Sequence, residues 1–479
     1  MDKAQNNLIY QIKDRPPFLS TIIFAIQQLL AIMAATLVVP VIINGNVAGL
    51  IEEGKITWEM TAQMSPAAAL FGAGVGTIVY LLFTKFRSPV FLGSSFAFLG
   101  SMTAAFAGAV SMSVGYLGLI IGAIFAGLVY VVIAIVVKFA GVKWVNKLMP
   151  AVVIGPTVAI IGLSLAGNAV GDLQTAPAGG DSRIAILVGL VTLAVTMICS
   201  VYTRRKSMFR LIPFIIGILA GYAFAAILTA IGSATETQAL MIINFDPLKA
   251  LAADGVGLKT FLTVPDFTFL NIKDGFKVLS ENWGYLGTIA MAYVPVAFVV
   301  FAEHIADHKN ISSIIKKDLL EDPGLHRTLL GDGVGSMAGA LFGGCPNTTY
   351  GESIACVAIT GNASVITIFT AAIGAILIAF FAPFVAFVNS IPSCVMGGVC
   401  MALYGFIAVS GLKMIQKVNL EDNKNLFVVS VILIAGIGGL AVSFGQVTIT
   451  SIACALILGI LTNVMLSGKR KDEIEEKQE

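Results

Sequence analysis

Long apolar blocks alternate with short polar clusters along the whole chain, and a hydropathy pass separates them into fourteen candidate membrane spans. The first half gives about 18–43, 65–84, 90–108, 113–138, 146–168, 183–203 and 209–231. The second gives about 284–306, 327–344, 346–360, 362–388, 391–411, 425–443 and 447–467. The third and tenth are short and carry Gly, Ser, Thr, Asn and Pro, which predicts broken or half helices. Residues 232–283 make the one large loop. The N-terminal stretch lacks an apolar core before Phe18 and a small-residue cleavage site, so the first span is expected to be retained.

Composition agrees with this pattern. The chain is 57% hydrophobic and 12% charged, with mean hydropathy +0.92. Soluble domains carry about 25% charge. An all-α polytopic membrane protein follows. Its net charge of +2 carries no nucleic-acid signal, because what matters is where the basic residues fall. With both termini in the cytoplasm, 23 of the 29 Lys and Arg residues fall on the inside. Lys55, Arg183, Lys249, Lys259, Lys273 and Lys277 fall outside, and shifting the count by one span scrambles the bias.

Against this background two glutamates stand out. Glu303 closes the run that begins at Trp283, and Glu352 lies in Cys345-PNTTYGESIACVAI-Thr360 between two apolar segments. An ionised carboxylate at mid-membrane costs roughly 2.5–3.5 kcal/mol on insertion scales, so such groups face polar cavities. Snorkelling at a helix end is the bland alternative for Glu303, weighed below a role in a polar cavity, and Glu352 has no such end to reach. His304 and His308 share a helix face, where a titrating role beside Glu303 fits better than a metal pair with no third ligand. Six scattered cysteines behave as small hydrophobes without metal-ligand spacing. There is no Gly-x4-Gly-Lys-Ser/Thr string and no ATPase-sized soluble domain, so no cofactor and no ATP-driven step is expected.

Weak internal repeats bear on the architecture. Gly72-AGVG-Thr77 recurs as Gly331-DGVG-Ser336, a displacement of 259 residues (331 − 72), and the glycines predict close helix packing. Pro89 precedes Gly93-SS-Phe96 much as Pro346 precedes Thr348-TYG-Glu352, and Met149-PAVVI-Gly155 recurs as Ile391-PSCVM-Gly397. They pair spans second with ninth, third with tenth and fifth with twelfth. Seven spans is an odd displacement, so the copies are predicted to lie inverted, with a substrate site where the broken helices meet.

Leu92-GSSFA-Phe98, Ala302-EHIAD-His308, Asp318-LLEDPGLH-Arg327, Pro346-NTTYG-Glu352 and Val395-MG-Gly398 resemble the nucleobase–cation symporter-2 family, most of all its uracil permease branch. The resemblance runs from about Arg15 to residue 467. It implies two inverted sevens folded as a core (18–138 and 284–388) and a gate (146–231 and 391–467). The loop 232–283 would be extracytoplasmic, the tail 468–479 cytoplasmic, and short strands would form in spans 3 and 10. It further implies a proton-coupled permease importing uracil across the plasma membrane by alternating access. H+, uracil and membrane lipid would be its partners, and a homodimer stays open.

The resemblance assigns uracil hydrogen bonds to Glu303 and Glu352, and ring-carbonyl contacts to the backbone amides of Phe96 and Gly351. Proton coupling falls to His308 with Glu352 and Glu303, and Tyr404 and Ala35 stand near the ring. Uracil's N–H and C=O groups suit carboxylates and amides, and Phe96 offers an aromatic wall. Three positions depart from the family pattern. Gln28 replaces a histidine, Asp307 stands where close relatives have Gly, and Ser353 replaces Asn. Xanthine or another oxopurine is the alternative cargo. An anion transporter of the same fold fits poorly with glutamates and no nearby Arg or Lys. A membrane enzyme lacks a nucleophile or metal.

Overall fold

The computed structural model describes residues 8–141, 150–203, 209, 212–253, 255–444 and 447–467. Met149, Lys143, Lys147, the basic residues 204–206 and 210, and both termini lie outside the described residues.

The chain is predominantly helical, because bilayer-length apolar runs satisfy their backbone polar groups only within helices or closed barrels. In order, the helices begin α1 (Phe18–Glu52), α2 (Pro66–Phe83), α3 (Leu99–Ala107) and α4 (Met112–Ala140). Next come α5 (Ala151–Ser164), α6 (Ala166–Gln174), α7 (Ser182–Val201), α8 (Pro213–Ala234) and α9 (Gly284–Ile315). The last are α10 (Leu325–Gly343), α11 (Gly351–Thr360), α12 (Val365–Ile378), α13 (Ala382–Asn389), α14 (Ser393–Ile415), α15 (Asn423–Ile437) and α16 (Ser451–Met465). Among the described residues, eight helices are long and apolar enough to cross a bilayer, counting α5 and α6 as one, and five shorter apolar helices accompany them.

Several expected boundaries move. α1 runs nine residues past the predicted end at 43, carrying Pro40 within it. The stretch 362–388 divides into α12 and α13. The segments 425–443 and 447–467 hold shorter helices, separated by a hairpin of β3 (Val442–Phe444) and β4 (Val447–Ile449). Short helices, including Asp246–Ala250 and Gly275–Glu281, occupy the loop 232–283. The largest correction concerns Glu303. Its helix continues to Ile315, so Glu303 is interior to α9 and not at its end.

Two sets of helices pack mainly among themselves. α2 lies against α10 and α12, α4 against α9 and α10, and α1 against α12. Separately, α14 packs on α5, α6 and α7, α15 on α5 and α16, and α7 on α8. Between α9 and α10, Asp322 accepts from Arg87 at 2.7 Å and from Lys317 at 2.6 Å. Hydrogen bonds from Lys317 and then Arg87 hold its carboxyl down at about 2, so the clasp between helix ends survives at any mildly acidic pH.

Gly72 and Gly76 on α2 cross closely with Gly339 and Gly335 on α10. A Cβ on Gly72 would lie 2.4 Å from the Gly339 carbonyl oxygen, and one on Gly76 would lie 2.7 Å from that of Gly335. Asn347 Nδ2 donates to the Gly72 carbonyl at 3.0 Å inside the same crossing. Gly72→Leu is therefore expected to cost about 1–3 kcal/mol or more of stability through overpacking. Gly171→Ala, whose Cβ meets nothing within 4 Å, serves as the control. It should be neutral or stabilising by up to about 1 kcal/mol, as expected for Gly→Ala in a helix. Thermal unfolding in detergent checks the pair, and equal melting temperatures would refute the packing account.

Candidate functional site

Two three-residue strands organise the centre of the molecule. β1 (Leu92–Ser94) pairs antiparallel with β2 (Asn347–Thr349), with Gly93 opposite Thr348. Ser95 N–H extends the ladder to the Pro346 carbonyl at 2.9 Å. Thr77 Oγ1 accepts from the Leu92 amide at 2.9 Å, so α2 satisfies backbone groups that no water would reach. Gly93 is required here, because a Cβ would lie 2.5 Å from the Tyr350 ring. Tyr350 in turn donates to the Ser94 carbonyl at 2.6 Å, bolting one strand to the other.

Each strand runs straight into a helix start. β1 leads into the turn Phe96–Phe98 and α3, and β2 leads through Tyr350 into α11. Neither start has a side-chain cap. The first amides of each are thus available to an acceptor, and the helix dipole favours negative charge there.

A cavity of about 460 Å³ lies against these two starts, a size typical of small-molecule sites. Ser95, Phe96, Thr348, Gly351 and Glu352 line it from the strand–helix junctions, and Glu303, Ala306 and Asp307 line it from α9. Positions 303, 306 and 307 share one helical face, as spacings of three and four require. α14 contributes Leu403, Ile407, Ser410 and Met414 from the other packing set. Three carboxylates and no Lys or Arg are among the described lining residues.

Of the residues expected at the site, Glu303, Glu352, Phe96 and Gly351 come together on this cavity. Tyr404 does not line it but packs edge-on to Phe96, ring centroids 6.2 Å apart. Ala35 is buried one turn beyond Ala31, and Ala31 is the residue that reaches the cavity. His308 is not among the lining residues either. It is five residues from Glu303 and so points away from Glu303's face. Its Nδ1–H donates to the His304 carbonyl at 2.8 Å, and its Nε2 meets the Tyr80 hydroxyl at 2.7 Å. His304 stacks on it at 4.0 Å and pairs with Asp332 at 2.6 Å and Thr328 at 3.0 Å. Both imidazoles are occupied in holding α9 against α2 and α10.

Asp307, which the sequence marks only as a departure, takes the cavity-facing place. Thr349 donates to its carboxylate at 2.6 Å, tying α9 to β2. The spacing of four from Glu303 was the available signal. The other two departures turn out to be a single contact. Gln28 Nε2 donates to Ser353 Oγ, which also accepts the Phe91 amide at 3.1 Å. That bridge anchors α11 to α1 and the β1 entry one residue after Glu352. The Glu303 carboxylate has no hydrogen-bonding partner among the described residues, which leaves its acceptors for whatever enters the cavity.

Comparison with known proteins fits this geometry. A model described as "Permease family" matches residues 19–444. The uracil permease of Bacillus caldolyticus is 38% identical over 97% of this chain and 96% of its own length. That of Bacillus subtilis (strain 168) is 37% identical over 100% and 99%. Among solved structures, the transmembrane domain of the cyanobacterial bicarbonate transporter BicA aligns with TM-score 0.55 at 14% identity. It covers 95% of this chain and 100% of that one, a likeness of fold alone. A full-length match at this identity, over a multi-pass helical fold, makes the chain a transporter and not an enzyme, and it belongs to the permease family that comprises the nucleobase–cation symporter-2 proteins.

Proposed function

We propose that the chain imports uracil across the plasma membrane together with H+. The observation that carries this reading is the cavity itself. The Glu303 carboxylate, Glu352 and two uncapped helix starts all converge on it, with no basic side chain among the described lining residues. A uracil ring presents N–H donors to carboxylates and carbonyl oxygens to the Phe96 and Gly351 amides. An anion such as bicarbonate would meet three carboxylates with no compensating cation among the described lining residues, which argues against that cargo despite the shared fold.

In this reading fourteen spans form two inverted sevens. The antiparallel β1–β2 pair and the α2–α10 glycine crossing support the inversion, and the two packing sets support a core (18–138 and 284–388) moving against a gate (146–231 and 391–467). The cavity reaches Ile212, Pro213 and Met414, next to the basic positions assigned to the cytoplasm, which supports an inward-facing arrangement of a chain whose termini we assign to the inside. Proton coupling belongs to Glu352 with Glu303. Asp307 takes the cavity-facing part that the family resemblance gave to His308. Membrane lipid surrounds the spans, and a pair of chains is compatible with the exposed apolar faces.

Expression in a host lacking its own uracil permease tests the proposal. Labelled uracil uptake should appear, rise with an inward proton gradient, and be competed by unlabelled uracil but not by xanthine. Competition by xanthine alone would overturn the choice of pyrimidine.

A further inference from the structure

Phe96 and Ile161 each line two cavities, and the second one is chemically unlike the first. It measures about 240 Å³ and takes its polar lining from Asn46 on α1, Thr103 on α3, Ser164 on α5, Asn168 on α6, and Thr450 and Ser451 at the start of α16. Among the described residues it is lined by no ionisable side chain, so it offers amides and hydroxyls only. Asn46 is 15 residues beyond Ala31 on α1, which places it roughly 22 Å further along the helix at 1.5 Å per residue. That direction is away from the basic ends near Pro213 and Met414.

We propose that this second cavity is an entry subsite for the same cargo, a neutral planar heterocycle carrying amide-like donors and acceptors. The inference rests on the nucleobase reading above and extends it to a second place on the path. Its chemistry matches a ring still neutral and outside the carboxylate site, since every polar group there is itself neutral. Phe96 is then a septum whose two sides face the waiting ring and the bound ring in turn.

The cavity also spans both packing sets, and a hydrogen-bond chain crosses it. Asn168 Nδ2 donates to Asn46 Oδ1, and Asn46 Nδ2 donates to Thr103 at 3.0 Å. The Asn46 carboxamide is thus engaged at both ends. A ring entering from this side replaces the Asn168–Asn46 bond with its own and frees the two sets to part. Ser451 has no such bond among the described residues and follows Thr450, whose hydroxyl already caps α16 through the Ala453 amide, so changing Ser451 leaves the cap intact.

Two variants of the full-length protein, Asn168→Ala and Ser451→Ala, test the subsite in intact cells with radiolabelled uracil. Each removes one neutral hydrogen bond, so uptake KM should rise roughly two- to ten-fold. Equilibrium uracil binding to the purified, detergent-solubilised variants, which reads the carboxylate cavity, should stay within about two-fold of the unmodified protein. KM unchanged in Ser451→Ala overturns the subsite, whatever Asn168→Ala does, because a latch alone explains the latter. A parallel loss of equilibrium binding overturns it too, by making the two cavities one. If the unmodified protein takes up no uracil, the nucleobase reading itself fails and the subsite falls with it.

Discussion

Glu303→Gln is expected to reduce uracil binding by roughly ten- to a hundredfold, with transport lost as a consequence. The carboxylate has no hydrogen-bonding partner among the described residues, so its full acceptor capacity faces the cavity. A hydrogen bond to a charged group contributes about 1.5–3 kcal/mol, and the substitution leaves a neutral acceptor of nearly the same shape. The amide also turns one acceptor atom into a donor, which would oppose a ring N–H. Because Glu303 is interior to α9 and holds no hydrogen bond or ion pair among the described residues, folding should be unaffected. Isothermal titration with uracil and a thermal melt on the same sample read the two effects separately. Wild-type affinity in the variant would remove Glu303 from the site, and a collapsed melt would recast it as a structural residue.

The sequence made some of this arrangement legible and hid the rest for physical reasons. Buried carboxylates are costly in an apolar chain, so Glu303 and Glu352 announced themselves through composition alone. The glycine strings at 72–76 and 331–335 were readable as a packing motif, since only a missing Cβ lets two backbones approach so closely. Half helices at 90–108 and 346–360 were visible as interruptions in hydropathy. The strands of β1 and β2 were expected only through the family resemblance, because three-residue strands have no period to detect and their partners lie over 250 residues apart. His308 stands off the cavity wall by a matter of one residue. A family pattern places a chemical type, but a helix rotates about 100° per position, and position 307 shares Glu303's face whereas 308 does not. Gln28 and Ser353 were each noticed alone, and nothing in a linear chain shows that they touch. Tyr404 and Ala35 sit one shell behind the cavity wall, too fine a distinction for a motif to draw.

Glu352→Gln should uncouple the transporter where Glu303→Gln disables it. Glu352 is the second residue of α11, beside the uncapped amide of Gly351, so the substrate keeps its backbone donors when the charge is removed. Uracil should still exchange across the membrane at a measurable rate, while accumulation driven by an imposed pH gradient disappears. Glu303, Asp307 and Glu352 line one cavity, and carboxylates so arranged exchange protons as a coupled set, not singly. Asp307→Asn should therefore lower gradient-driven accumulation as well, though less, since Thr349 can still donate to the asparagine oxygen and hold α9 to β2. His308→Gln separates this account from the one a motif alone suggests. It breaks the Tyr80 contact that packs α9 on α2, so its effect should be a lower melting temperature with the accumulation ratio per folded protein retained. Counterflow and gradient-driven uptake in proteoliposomes, measured side by side for the three variants, decide the assignment. Full accumulation by Glu352→Gln, or its selective loss in His308→Gln, would return the proton path to the histidine and leave the acidic cavity a binding site only.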